Sequence, residues 1–121
     1  MRRPAAEQVR LSSSWRSAFR AMALSRLSPA RKGPFSVLRI SVAPRSHLPT
    51  VYHRKTWEFL FVLKGAGYGV VGRRRFRLRK GASLFLPPRA PHDFHTGRSG
   101  LEALVIFSPR FDEARPDVVR V

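Results

Sequence analysis

The chain has 121 residues, 43% hydrophobic and 11% aromatic, enough to build one compact domain and too well supplied for a disordered chain or a multi-domain assembly. It contains no cysteine, which excludes disulfides, thiolate metal sites and cysteine nucleophiles, so any metal must be held by histidine and carboxylate. The net charge of +17 favours anionic partners, but 20 of the 24 basic residues are arginine, a skew that codon bias alone produces.

Residues 1–34 carry eight basic residues and one acid, Glu7, among scattered serines, and read as a basic N-terminal extension, poorly ordered or forming a short helix. Leu11, Trp15, Ala18, Phe19 and Met22 recur at helical spacing, with Arg10, Arg16 and Arg20 mostly elsewhere on the wheel. This predicts a short basic amphipathic helix that stops near Pro29 and Gly33. An Arg- and Ser-rich, acid-poor start also resembles a mitochondrial transit peptide, while the plainer reading is an over-extended frame whose true start is Met22. No apolar run approaches the roughly 20 residues of a membrane-spanning helix, and no secretory h-region is present. The expected compartment is the cytoplasm, with the mitochondrion as the alternative.

From residue 35 to the end at 121 the pattern changes to short apolar runs separated by Gly and Pro, which predicts an all-β domain, an antiparallel β-barrel or jelly roll. Candidate strands are 35–42, 50–53, 57–64, 68–71, 75–79, 83–86, 92–96 and 101–107. A tight hairpin turn belongs at Val71-Gly72-Arg73, with glycine supplying a positive φ. In the returning strand Phe76 and Leu78 share the core face while Arg75, Arg77 and Arg79 share the other. With Arg73, Arg74 and Lys80 these form a basic face on which no aromatic residue is interleaved, so only nonspecific nucleic-acid binding is expected there. Two runs, 59–63 and 101–107, are apolar on both faces, Glu102 being the one polar residue among them. A sheet covered on one side only by its own barrel needs a second cover, and a second copy of the barrel supplies it, which predicts a homodimer.

The candidate chemistry lies in His53, Glu58 and His92. On the strand 57–64, Glu58 shares a face with Leu60 and Val62, so it points into the barrel if they do. A buried carboxylate needs a partner, and both a bound cation and a plain His–Glu hydrogen bond satisfy that need. Two His and one Glu form a facial triad that leaves positions on a metal open to substrate.

The stretch from His53 through Glu58 to Gly65 resembles the first motif of the small single-domain cupins, the cupin type-2 conserved barrel proteins, in which Glu is followed by Gly seven residues on. Gly81, Pro87 and His92 reproduce the spacing of the second motif, and 15 residues separate Gly65 from Gly81, similar to the compact spacing of microbial cupins. The resemblance covers residues 35–109 and implies a metal held by His53, Glu58 and His92, one divalent ion of Fe, Mn, Ni or Zn, beside a pocket for a small molecule. Val51, Leu60, Val62, Phe94 and Thr96 are the candidate pocket residues. The implied reactions span isomerases, dioxygenases and lyases, so the resemblance is specific for fold, in the RmlC-like class of barrels, and not for activity. A metal-free module that binds or senses a sugar or carboxylate is the alternative, and a basic nucleic-acid-interacting protein is a third.

The chain departs from the family pattern in three places. Val51 stands where the family has its first histidine, Arg89 where a glycine often precedes the second-motif histidine by three, and Thr96 where Asn is frequent. His95 has the opposite strand parity to His92, and His47 lies four residues before Val51, roughly 13 Å along an extended chain, so neither replaces the missing ligand.

Overall fold

The computed structural model describes residues 6, 15–19, 21–112 and 114–121. Nine strands form among them and no helix: β1 (Arg16–Phe19), β2 (Met22–Arg26), β3 (Ser36–Val42), β4 (Val51–His53), β5 (Trp57–Val71), β6 (Arg74–Arg79), β7 (Ser83–Leu86), β8 (His92–Ser108) and β9 (Val118–Arg120). All pair antiparallel in one curled sheet. The all-β expectation holds. The amphipathic helix does not: Trp15 leads into β1, and β1 and β2 form a hairpin with Ser17 opposite Ala23, while Leu11 lies outside the described residues. A short isolated helix is marginal in water, whereas β2 completes five register pairs with β3, Leu24 opposite Ile40 among them. The sheet therefore extends beyond residue 35 toward the N-terminus, with Met22 and Leu24 packed on the core.

Two long strands organise the molecule. The first part of β5 and the last part of β8 pair as Glu58 with Phe107 through Gly65 with Leu101, and the remaining parts as Gly67 with Thr96 through Val71 with His92. Each thus replaces two of the short strands read from the sequence. β3 and β7 flank the first of these paired regions, and β4 and β6 the second. At the corner between them Gly65 adopts φ +90°, and a Cβ there would collide with the carbonyl oxygen of Gly100. The register shifts around Gly65 and Gly67 mark the bulges that bend the strand. In the β5–β6 hairpin, Gly72 turns at φ +60°, as the sequence predicts.

Alternation along the strands sets the core. Leu38, Ile40 and Val42 of β3 are buried, as are Leu60 and Val62 of β5, Leu78 of β6, Leu84 and Leu86 of β7, and Ala103, Val105 and Phe107 of β8. Each large side chain here contributes roughly 1.5–3 kcal/mol by leaving water. Glu58 and His92 lie on the same inward parity, so the face that builds the core also delivers polar groups to the interior. Outside, Glu102 is met by Arg39 at 2.6 Å, while Trp57, Phe61 and Phe85 remain exposed.

Candidate metal centre

His53 ends β4, Glu58 is the second residue of β5 and His92 opens β8. The structure brings all three together at one end of the barrel, with one ligand atom from each lying within 4.8 Å of the others. Glu58 Oε1 is 3.2 Å from His53 Nε2 and 3.7 Å from His92 Nε2, and the three side chains are between 5% and 7% exposed. The imidazoles stack with ring centres 5.5 Å apart, walled by Phe107, Phe111 and Phe94.

The loop between β7 and β8 explains how His92 is aimed. Arg89 takes φ +69°, a left-handed conformation that favours glycine, and its N–H donates to the carbonyl of His53 at 2.6 Å. The glycine-to-arginine departure therefore keeps the turn and accepts its backbone strain. Within that loop the Ala90 carbonyl lies 2.9 Å from His92 Nδ1. A carbonyl carries no proton, so Nδ1 donates, and Nε2 is the nitrogen that faces the Glu58 oxygen.

His53 lies between two carboxylates, with Nε2 toward Glu58 and Nδ1 3.4 Å from Asp117 Oδ1. Burial alone would lower the pKa of His53, but hydrogen bonding and charge from Glu58, then from Asp117, outweigh it and hold the imidazole above its usual value. For Asp117 burial acts upward, and donors from Lys55, Thr56 and His53 outweigh it, so its carboxyl sits below the usual carboxylate range.

Beside the three residues opens a cavity of about 640 Å³. Its walls are mainly apolar, with Met22 and Leu24 from β2, Leu38 and Ile40 from β3, and Phe94, Val105 and Phe107 from β8; Asp93 and Arg120 add charge. Of the pocket residues read from the sequence, Val51 and Phe94 line this cavity. Leu60 and Val62 are wholly buried where the core closes, and Thr96 is turned to the 43–46 loop, accepting from Ser46 N at 3.0 Å, so these three stand apart from it. The sequence reading missed Asp117 and the wall formed by Phe111, Pro116, Val118 and Arg120. The alternating Val118-Val119-Arg120 after Pro116 was the available strand signal.

The outer face also departs from expectation. Although no aromatic of β6 shares the face of Arg75, Arg77 and Arg79, Tyr68 of the neighbouring β5 lies opposite Arg77, and the Arg75 guanidinium sits 4.1 Å from the Tyr68 ring centre. The stack continues through His95 at 4.5 Å to His47 at 5.6 Å. His95 is bonded to Asp93 at 2.8 Å and so stays outside the His53 site, as its parity requires.

An antiparallel barrel carrying two histidines and a glutamate at one end, with the spacings of both motifs intact, defines a class of small single-site barrels. The cupin domain family matches residues 38–107, and the chain belongs to that family. Among solved structures, KdgF from Halomonas sp. is similar at a TM-score of 0.78 and 13% identity, over 93% of this chain and 100% of that one. Streptomyces PAC13 with uridine superposes at 0.76 and 15% identity, over 95% and 92%. Ectoine synthase from P. lautus does so at 0.73 and 17%, over 87% and 79%. At these identities the likeness is one of fold. No curated protein matches the chain significantly.

Proposed function

We propose that the chain binds one divalent metal ion, of the Fe, Mn, Ni or Zn type, through His53, Glu58 and His92, and holds a small polar or anionic ligand in the adjoining cavity. The observation that carries this reading is the convergence of these three side chains. The Ala90 carbonyl commits Nδ1 of His92 to donation, which leaves Nε2 as the nitrogen facing the buried Glu58 oxygen 3.7 Å away. Three buried groups that can each offer a ligand atom converge within 4.8 Å, and a cation among Glu58 Oε1, His53 Nε2 and His92 Nε2 would be coordinated by all three. A bound ion would supply Lewis-acid polarisation of a ligand oxygen, which suits the isomerase, lyase and dioxygenase chemistry of the fold without selecting among them. The protein's own share is to present the three ligand atoms, exclude water with Phe94, Phe107 and Phe111, and grip the apolar part of the ligand along β2 and β3.

A metal-free sugar- or carboxylate-sensing module is favoured instead by one observation, the protonation-prone His53 held between two carboxylates. Elemental analysis of the purified protein beside Glu58→Ala separates the two. Near-stoichiometric metal in the wild type and little in the variant is expected; equal, near-zero metal in both would refute the metal reading.

The partner reading is a homodimer formed through the outer sheet face. Trp57, Phe61 and Phe85 are 47%, 37% and 66% exposed, and Phe59, Leu104 and Ile106 continue the patch across β5 and β8. A second copy offers the same face in a self-complementary contact. Contact of the Arg73–Lys80 region with nucleic acid is read as nonspecific and salt-sensitive, and the compartment as cytoplasmic. No helix among the described residues is long and apolar enough to cross a membrane.

A further inference from the structure

We infer that Arg120 is the specificity-determining residue of the cavity, and that it selects ligands in which a hydrocarbon body carries a carboxylate. The inference deepens the ligand reading proposed for the cavity and rests on it.

Strand parity places Arg120. β9 pairs with β4 so that Arg120 lies opposite Val51 and Val118 opposite His53. Val51, His53, Val118 and Arg120 all line the cavity, whereas the intervening pair, Tyr52 and Val119, does not. Directly opposed residues on one face stand about 4.5–5.5 Å apart at their Cβ atoms, so the stem of Arg120 starts beside Val51. Two residues of strand, roughly 7 Å, separate that level from His53. Glu58 is 5% exposed and Arg120 is exposed, so the lining passes from a buried polar end to a cationic mouth. The backbone on either side of Arg120 is pinned, with Val121 N–H donating to the Thr50 carbonyl and Arg54 N–H to the Asp117 carbonyl, each at 3.0 Å.

Charge then decides what the mouth accepts. Among the described residues Arg120 is the only arginine or lysine on the lining. Asp93 also touches the cavity, but it has the opposite strand parity to His92 and Phe94, and both of its oxygens are engaged. Its Oδ1 lies 2.8 Å from His95 Nε2, and its Oδ2 accepts from Thr50 Oγ1 at 2.8 Å. A guanidinium carries five donors, so the contact Arg120 makes within the fold does not exhaust it, and its planar fork matches a carboxylate bidentately. The volume of about 640 Å³ falls in the small-molecule range of roughly 300–1,000 Å³. An amphipathic carboxylate answers both features of the lining. Its anionic group pairs with Arg120 and its hydrocarbon lies against Leu24, Leu38 and Ile40, which leaves His53, Glu58 and His92 for an oxygen at its other end.

The test titrates octanoate and octanamide, equal in length and different in charge, into the full chain by calorimetry, as purified and after chelator treatment. The wild type should bind octanoate at least tenfold more tightly than octanamide in both states. Arg120→Gln should bring octanoate down to the level of octanamide and leave octanamide unchanged, with a melting temperature close to wild type. Arg120→Lys, a point charge without the fork, should keep part of the preference. Equal binding of the two probes by the wild type would overturn the inference while leaving the cavity a ligand site. A preference that survives Arg120→Gln would overturn it as well, and its loss with chelator would show that a bound metal reads the carboxylate instead. Binding of neither probe would remove the ligand reading of the cavity together with the inference.

Discussion

Glu58 is the charge on which the interior site turns, and replacing it with glutamine isolates that charge at nearly constant shape. In chelator-treated protein, burial pulls the His53 pKa down and Glu58, with Asp117, more than restores it, so the folded value stands above the unfolded 6.5. A group raised in this way stabilises the fold fully below its unfolded pKa, and that contribution is lost as pH rises through the folded pKa. The metal-free wild type should therefore gain stability from this group as pH falls through its folded pKa to below the unfolded 6.5, by about 1.4 kcal/mol for each unit of difference. Glu58→Gln leaves only Asp117 to oppose burial. Both side chains are nearly enclosed, at 7% and 6% exposure, so the interaction is little screened by solvent. Removing one member of a buried ion pair costs about 3–5 kcal/mol, and that cost applies only while His53 is protonated. At a few °C per kcal/mol for a chain of this size, the variant should melt about 10 °C below wild type near pH 6 and much closer to it once alkaline pH has deprotonated His53. Scanning calorimetry across that range, with chelator present, is the assay. Parallel wild-type and Glu58→Gln profiles would show that His53 does not depend on Glu58, and the electrostatic account of the site would fail.

Val51→His should tighten Zn(II) or Ni(II) binding at least tenfold, about 1.4 kcal/mol, because Val51 lines the same cavity as His53, Glu58 and His92; a normally folded variant with wild-type affinity would place position 51 away from the centre. The double variant Phe61→Glu, Phe85→Glu should sediment as a 13.8 kDa monomer under conditions where the wild type sediments at about twice that mass, and a monomeric wild type would remove the dimer reading. A chain beginning at Met22 should keep the β-type circular dichroism of the full length. One beginning at Ala30 loses β2, with Leu24, and the Ser28 Oγ acceptor of Val37 N at 2.8 Å, and should lose about 3 kcal/mol or more; equal melting of the two would mean that the sheet is self-sufficient from β3 onward.

How much was legible depended on whether the signal was local. Alternation in 35–42 and 75–79 and the glycine turn at residue 72 are set by neighbours in sequence, and they reappear as β3, β6 and the β5–β6 hairpin. Gly65 and Gly67, with Ala66 between them, were read as a break between two strands. In the fold they are what allows β5 to run unbroken past β8, because at Gly65 and Gly67 the opposing backbone comes so close that a Cβ has no room. The N-terminal misreading has the same origin. Apolar residues at helical spacing between Trp15 and Met22 describe an amphipathic helix in isolation, yet the unpaired edge of β3 offered hydrogen bonds and an apolar surface that only an added strand could use.

The site divides along the same line. His53, Glu58 and His92 were recoverable because parity and motif spacing set which residues face inward, and the fold needed only to close for them to meet. Asp117 was not, since nothing in residues 110–121 says that the chain returns to β4; the clue exists only once Val118 lies opposite His53. The same return explains what Val51 does in place of a histidine. With β9 beside it and Pro49, Phe111 and Val118 on the same lining, Val51 extends an apolar wall up to the polar centre. Loss of a fourth ligand and gain of wall are then one change. On the proposed metal reading it would trade affinity for a drier, more apolar approach, and a ligand shaped to that cavity would offer its polar end to His53, Glu58 and His92 and its hydrocarbon to the remaining walls.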